Sequence, residues 1–157
     1  IPAGINEGMR IRSSGNGEPG TNGGPAGDLY IEIRLKKHEI FEREGDDLHC
    51  VVPVSMSTAA LGGEINVPTL KGAAAIDIPE GTQSGKQFRL RGKGFPDVNS
   101  RSPERGSQIV SIKLKVPQKL TEEQRRLVKE LAAASGETIH AEDRGLLGKV
   151  KGAFSHK

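Results

Sequence analysis

Aromatic side chains are scarce in this chain of 157 residues: Phe41, Phe88, Phe95, Phe154, Tyr30 and no Trp. With so few large rings, and with 21 glycines, the core must come from Ile, Val, Leu and Ala, in thin layers with much backbone in turns. Cys50 is the only cysteine, which excludes an internal disulfide and any multi-cysteine metal centre, and suits a reducing compartment. No surplus of one charge is present either. The 23 basic and 20 acidic residues leave +3, too mild and too dispersed to call for nucleic acid. No apolar run reaches membrane-spanning length, and the first residues have neither the basic region nor the apolar core of a secretion signal. The abrupt opening, IPAG, reads as a cut inside a longer protein.

What the chain does contain is a repeated phrase. IPAGINEGMRIRSSGNG begins at Ile1, and IPEGTQSGKQFRLRGKG begins at Ile78. Gly4 aligns with Gly81, Gly8 with Gly85, Ile11 with Phe88, Arg12 with Arg89, and Gly15 and Gly17 with Gly92 and Gly94. After a loop two residues longer in the second copy, Gly27 meets Gly106 and YIEIRLK meets IVSIKLK. Each copy reads as a glycine turn, a short strand, a glycine-rich loop and a longer strand. Alternation puts Ile31, Ile33 and Leu35 on one face against Tyr30, Glu32 and Arg34, and Val110, Ile112 and Leu114 against Ser111 and Lys113. In both copies the apolar face is expected to meet a second layer. The glycines serve turns or close approaches. Neither Gly15-Asn16-Gly17 nor Gly92-Lys93-Gly94 has the lysine-serine or lysine-threonine ending and following helix of a phosphate cradle.

Between the copies, LHCVVPVSM (Leu48 to Met56) is predicted as a strand whose Pro53 favours an edge or a bulge. Thr58 to Leu61 makes one helical turn that Gly62 and Gly63 stop, and GEINVPTL and AAAIDIP flank a hairpin-like turn at Lys71 and Gly72. The predicted organisation is residues 1–38 as the latter part of a first β domain and 39–117 as a complete second one. A helix at 118–135 and a flexible or docking tail at 136–157 follow. Half a sandwich leaves an apolar face without a partner, which again suggests truncation.

The period changes at LTEEQRRLVKELAAAS. Thr121 is the expected N-cap, with Gln124 completing a capping box, Glu122 and Glu123 in the first turn and Gly136 closing the run. Leu127, Val128 and Leu131 form a narrow apolar stripe. A helix of this length is marginal alone, so it lies either on its own sheet or on its counterpart in a second subunit. The later GLLGKVKGAF reads as a docking arm, a membrane-surface segment or a frayed tail.

No catalytic constellation appears. His38, His49, His140 and His156 are scattered, and there is no HExxH, CxxC or glycine-flanked nucleophilic serine. His49 and Cys50 are neighbours in a strand and point to opposite faces, a poor dyad. The acidic residues Glu42, Glu44, Asp46 and Asp47 form a charged turn without EF-hand spacing. One rival from another class is a single-stranded nucleic-acid module using Arg89, Arg91, Lys93 and Phe95, since basic and aromatic residues interleave there. A purely structural dimerisation role is the other alternative.

IPAG to GxG followed by AGDLYIEI, the HxIFxRxGDDL stretch at His38 to Leu48, ALGGExxVPTLxG at Ala60 to Gly72, IPEGTQSGKQFRLRGKG and LTEEQRRLVKEL together resemble the carboxy-terminal region of DnaJ-type J-domain co-chaperones. The resemblance runs from Ile1 to about Ala134. It implies an all-β fold: a DnaJ C-terminal-domain-like β-sandwich with a partial preceding β unit and a C-terminal dimerisation helix. It also implies binding of unfolded polypeptides, homodimerisation, and delivery of clients to DnaK by the parent protein, in the cytoplasm or an equivalent organelle interior such as plastid stroma or mitochondrial matrix. This chain has neither the His-Pro-Asp of a J domain nor the repeated CxxCxGxG of the zinc module. No ATPase stimulation, enzyme activity or cofactor is therefore expected of it, zinc belonging only to a full-length, zinc-module-bearing parent. No nucleic-acid or membrane partner is expected. Client contacts are assigned to Ile11, Tyr30, Ile31, Ile33, Val52, Val54, Phe88 and Leu90. The dimer is assigned to Leu127, Val128 and Leu131, with Leu146, Leu147, Val150 and Phe154 reaching from the tail. Where the family has Gly-Asp, Gly106-Ser107 departs from it, and a local loop change is expected.

Overall fold

The computed structural model describes residues 1–99 and 104–138. The chain divides into two compact units, Ile1–Val116 and Pro117–Lys157. The regular structure of the first is mostly strands. They are β1 (Arg10–Ser13), β2 (Leu29–Glu32), β3 (Glu42–Glu44), β4 (Asp47–Ser55), β5 (Gly63–Thr69), β6 (Gly72–Ile78), β7 (Gln87–Leu90) and β8 (Gln108–Lys115). A short helix, α1 (Met56–Leu61), joins β4 to β5, and the second unit supplies α2 (Glu122–Ala134).

The strands form three sheets. β1 and β2 make a two-stranded ribbon, β3-β4-β8-β7 a mixed four-stranded sheet, and β5-β6 a hairpin. The core lies between the mixed sheet and the hairpin, where Cys50, Val54, Val110 and Ile112 meet Val67, Ile76 and Ile78, with Ala59 of α1 beside them. Alternation delivers these residues: on β8, Val110 and Ile112 are buried while Lys113 is exposed. This all-β sandwich with a C-terminal helix is the architecture expected from sequence.

The repeat proves to be structural down to single hydrogen bonds. Ile11 pairs with Ile31 as Phe88 pairs with Val110, and Arg12 with Tyr30 as Arg89 with Ile109. The Gly8 amide donates to the Ile33 carbonyl at 3.0 Å, and the Gly85 amide to the Ile112 carbonyl at 2.7 Å. Gly15 and Gly92 sit at φ +72° and +71°, the left-handed turn conformation that a side chain disfavours. At Gly106 the need is different: a methyl group there would overlap the Asp46 carbonyl, so the loop closes only around glycine.

The copies differ in what flanks them. β8 pairs on its other side with β4, in parallel, from Leu48 opposite Gln108 to Ser55 opposite Lys115. No described strand lies in that position beside β2. The expected second layer over the first copy is correspondingly missing among the described residues. Ile33 is buried, but Ile31 and Leu35 remain 41% and 44% exposed. Pro53 falls where sequence reasoning put it, on an edge: among the described residues β3 covers β4 only at Asp47 to His49, leaving the rest of that side of β4 without a partner strand. The Ser55 hydroxyl caps α1 by accepting from the Thr58 amide, and Gly62 ends it at φ +77°.

Gln108 is the polar exception in the core. Fully buried, it donates from Nε2 to the Pro68 carbonyl (2.7 Å) and toward Cys50 Sγ (3.3 Å), tying the mixed sheet to β5. Burial pushes the Cys50 thiol above its ordinary pKa, an effect the Gln108 N–H partly opposes. The native thiol is thus protonated at neutral pH and shielded. An aromatic disulfide reagent should modify it more than about a hundredfold more slowly in the folded protein than in denaturant. Equal rates would mean that this face of β4 opens readily.

In the second unit the capping box forms as expected. Thr121 Oγ1 accepts from the Gln124 amide at 3.2 Å, and Gln124 Oε1 accepts from the Thr121 amide at 2.9 Å. Arg126 bridges Glu123 and Glu130 on the solvent side and holds the Glu123 carboxyl below its usual range.

Candidate functional site

Client contacts require apolar atoms that solvent reaches beside backbone that can still pair. β2 meets both conditions. Its four residues are all exposed, Leu29 at 44%, Tyr30 at 62% and Ile31 at 41%, and among the described residues only one of its edges is paired, with β1. Ile11, opposite Ile31, is half-buried. Four of the expected contact residues, Ile11, Tyr30, Ile31 and Ile33, are therefore brought together on this ribbon. Ile33, however, is 9% exposed, and its amide donates to the Met9 carbonyl at 2.9 Å. It supports the ribbon from inside and is corrected from contact to core.

The second-copy residues lie elsewhere, on the mixed sheet. Val54 is 4% exposed and belongs to the core cluster, so its assignment as a contact is also corrected: alternation on β4 turns it inward with Cys50. Val52, Phe88 and Leu90 are half-buried and pack against the same core. The exposed apolar residue of β4 is Val51, at 61%, which sequence reasoning passed over.

A cleft of about 800 Å³ was also missed. Ile5, Leu35, Ile40, Phe41, Leu70 and Phe95 give it an apolar lining, and Arg43 forms part of its wall. The Arg43 guanidinium donates to the carbonyls of Ile5, Gly4 and Gly45, each at 2.7 Å, and lies 4.1 Å from the Phe95 ring centre. The His38 ring caps the adjoining turn, its Nδ1 accepting from the Ile40 and Phe41 amides. The only sequence signal was Ile40-Phe41 standing outside any alternating run.

The basic and aromatic residues of the nucleic-acid alternative do not form a stacking platform. The Phe95 ring is half-buried with Arg43 against it, and Phe88 packs into the core. His49 and Cys50 are not a dyad, since His49 lies 3.3 Å from Glu44 while Cys50 faces inward. Among the described residues no group of three or more His, Cys, Asp or Glu stands close enough to hold a metal ion, and no helix is long and apolar enough to cross a membrane.

On α2, Leu127 and Leu131 are 49% and 58% exposed, and Val128 is half-buried. Leu146, Leu147, Val150 and Phe154 lie outside the described residues.

Comparison with known proteins now gives this arrangement its relatives. The DnaJ C terminal domain family matches residues 1–117, and the family described as Chaperone protein DnaJ C-terminal region matches 123–156, beyond the point near Ala134 where the sequence resemblance stopped. Chaperone protein DnaJ of a Polaromonas species is 65% identical over 99% of this chain, that of Polaromonas naphthalenivorans 64% over 98%, and that of Cupriavidus taiwanensis 54% over 99%. In each case the match spans 41% of the relative's own length. With the repeated β unit and the capped helix matched in turn, this chain belongs to the DnaJ C-terminal domain family.

Proposed function

We propose that this chain is the client-holding and dimerising region of a chaperone. It binds extended segments of non-native polypeptide and, in the parent protein, delivers them to DnaK in the compartment they share, the cytoplasm in bacteria. Two observations support this reading: residues 1–117 match the DnaJ C terminal domain family, and Leu29, Tyr30 and Ile31 are exposed on β2, beside which, among the described residues, no strand takes the position that β4 has beside β8. An unfolded client offers backbone hydrogen bonds and apolar side chains without fixed sequence, and an open edge beside apolar side chains accepts both. Each such contact is weak, and two arms in a dimer raise the effective affinity by avidity. Holding of this kind requires neither nucleotide nor metal.

The test is suppression of aggregation of a chemically denatured model substrate by the 157-residue protein. Holding is expected at a few-fold molar excess and independent of ATP. Replacing Tyr30 and Ile31 with Ser removes two exposed side chains without touching the core. It should raise the concentration needed for half-suppression roughly fivefold, a change of about 1 kcal/mol. No holding by the parent, or full holding by the double variant, would move the activity away from this ribbon.

A further inference from the structure

The two copies of the repeat differ in charge around one arginine that both share, Arg12 in the first and Arg89 in the second. In the first copy Arg12 is closed by Asp28, with Nε 2.7 Å and a terminal nitrogen 2.6 Å from the same carboxylate oxygen. In the second copy Asp28 is replaced by Ser107. Arg89 donates from Nε to the Ser107 hydroxyl at 2.9 Å, and its nearest carboxylate, Asp47 of β4, is 3.7 Å away. Around it stand cations that the first copy lacks: Arg91 occupies the place of Ser14, Lys93 that of Asn16, and Arg105 that of Ala26. Since the first copy makes the same hairpin in the same register, the fold does not require these charges.

They converge. Arg89, Arg91 and Arg105 line one cleft of about 660 Å³ with Gly92, Glu104 and Ser107. Arg105 and Gly92 also border a smaller hollow that holds Lys71 and Lys93. Among the described residues Arg91 and Arg105 have no ion-pair partner, while Arg89 is held in place by Ser107.

We propose that this arginine cleft is a second binding site, which takes an acidic peptide segment carrying two or more neighbouring carboxylates. A guanidinium presents a flat fork of donors that matches a carboxylate, and three around one cleft suit a short run of Glu or Asp on one chain. A nucleic-acid strand fits less well, because among the described residues no aromatic ring lines the cleft to stack a base. The site is separate from β2, so its test does not depend on client holding.

Fluorescence anisotropy of the full 157-residue protein with a labelled octapeptide containing four glutamates tests it directly. At low ionic strength the peptide should bind saturably, and its glutamine counterpart should not. Replacing Arg91 and Arg105 with Gln should weaken binding at least tenfold, about what one lost charge-assisted contact accounts for. Replacing Arg125 and Lys129 on α2 should leave it unchanged. The thermal melt of the Arg91→Gln/Arg105→Gln variant should match the parent, because neither side chain is paired among the described residues. Binding that survives this double substitution, equal loss in the Arg125→Gln/Lys129→Gln control, or preference for a labelled oligothymidylate over the glutamate peptide would each overturn the assignment.

Discussion

Replacing Leu127 and Leu131 with Asp is expected to convert the protein from a dimer into folded monomers. Both side chains project from α2 about half exposed, next to half-buried Val128. Fully burying a Leu is worth about 1.5–3 kcal/mol, so completing the burial of four half-exposed leucines across a two-fold axis supplies roughly 3–6 kcal/mol. That lies at the low end of the association cost, roughly 4–15 kcal/mol, so the helix pair by itself is poised at the threshold. Four aspartates held in such an interface exceed it many times over. Arg126 with Glu123 and Glu130 forms an exposed ion-pair set along the flank of the leucine stripe, compatible with water in either state. Light scattering at tens of micromolar should report a dimer for the parent and a monomer for the variant, with the β signal in circular dichroism unchanged. A parent that is monomeric, or a variant that remains dimeric, would make α2 a brace within one chain.

Arg43→Ala is expected to be the most damaging single substitution outside the apolar core. The side chain is 14% exposed and spends its donors on three carbonyls, with Asp46 at 3.7 Å and the Phe95 ring beneath. Two of those carbonyls, of Gly4 and Ile5, belong to the partial β unit of residues 1–38, whereas Gly45, Asp46 and Phe95 belong to the β unit of residues 39–117. Truncation leaves three acceptors without this donor and removes a cation that bridges residues 1–38 and 39–117. The expected loss is about 3 kcal/mol in denaturant unfolding, with earlier proteolysis between residues 1 and 38. Lysine should not rescue it, because one ammonium cannot serve three carbonyls and a ring face in a plane. A loss below about 1 kcal/mol would show that residues 1–38 are held to residues 39–117 by other contacts.

Much of this was legible in the residues. The repeat fixed the hairpins and their glycine turns, because register and positive φ are local properties written at short range. The helix was legible to its caps for the same reason. Alternation also gave the two faces of each strand, but it says nothing about which face is covered. Ile31 therefore proved exposed where a second layer was expected, and Val54 proved buried where a contact was assigned. The parallel pairing of β4 with β8 and the Arg43 clamp join residues distant in sequence, and no local pattern records them. Gln108 begins the apolar face of β8 yet looks like a surface residue, since nothing nearby reveals the Pro68 carbonyl it meets.

The parallel pair has a consequence for synthesis. Leu48 lies opposite Gln108, so β4 leaves the ribosome sixty residues before its partner does. At about 5–20 residues per second, that strand waits roughly 3–12 s with the inward face of Leu48, Cys50 and Val54 uncovered. The β5-β6 hairpin can close in that interval, being local, but it covers one face only and leaves the edge unpaired. Asp46 and Asp47 stand at the start of the strand, and Pro53 removes an N–H from its other edge, the one β3 leaves open, so strand addition by a neighbouring nascent chain is discouraged there while the β8 edge waits. The nascent chain thus carries a strand that is shielded on one edge and stays open on the other until β8 arrives.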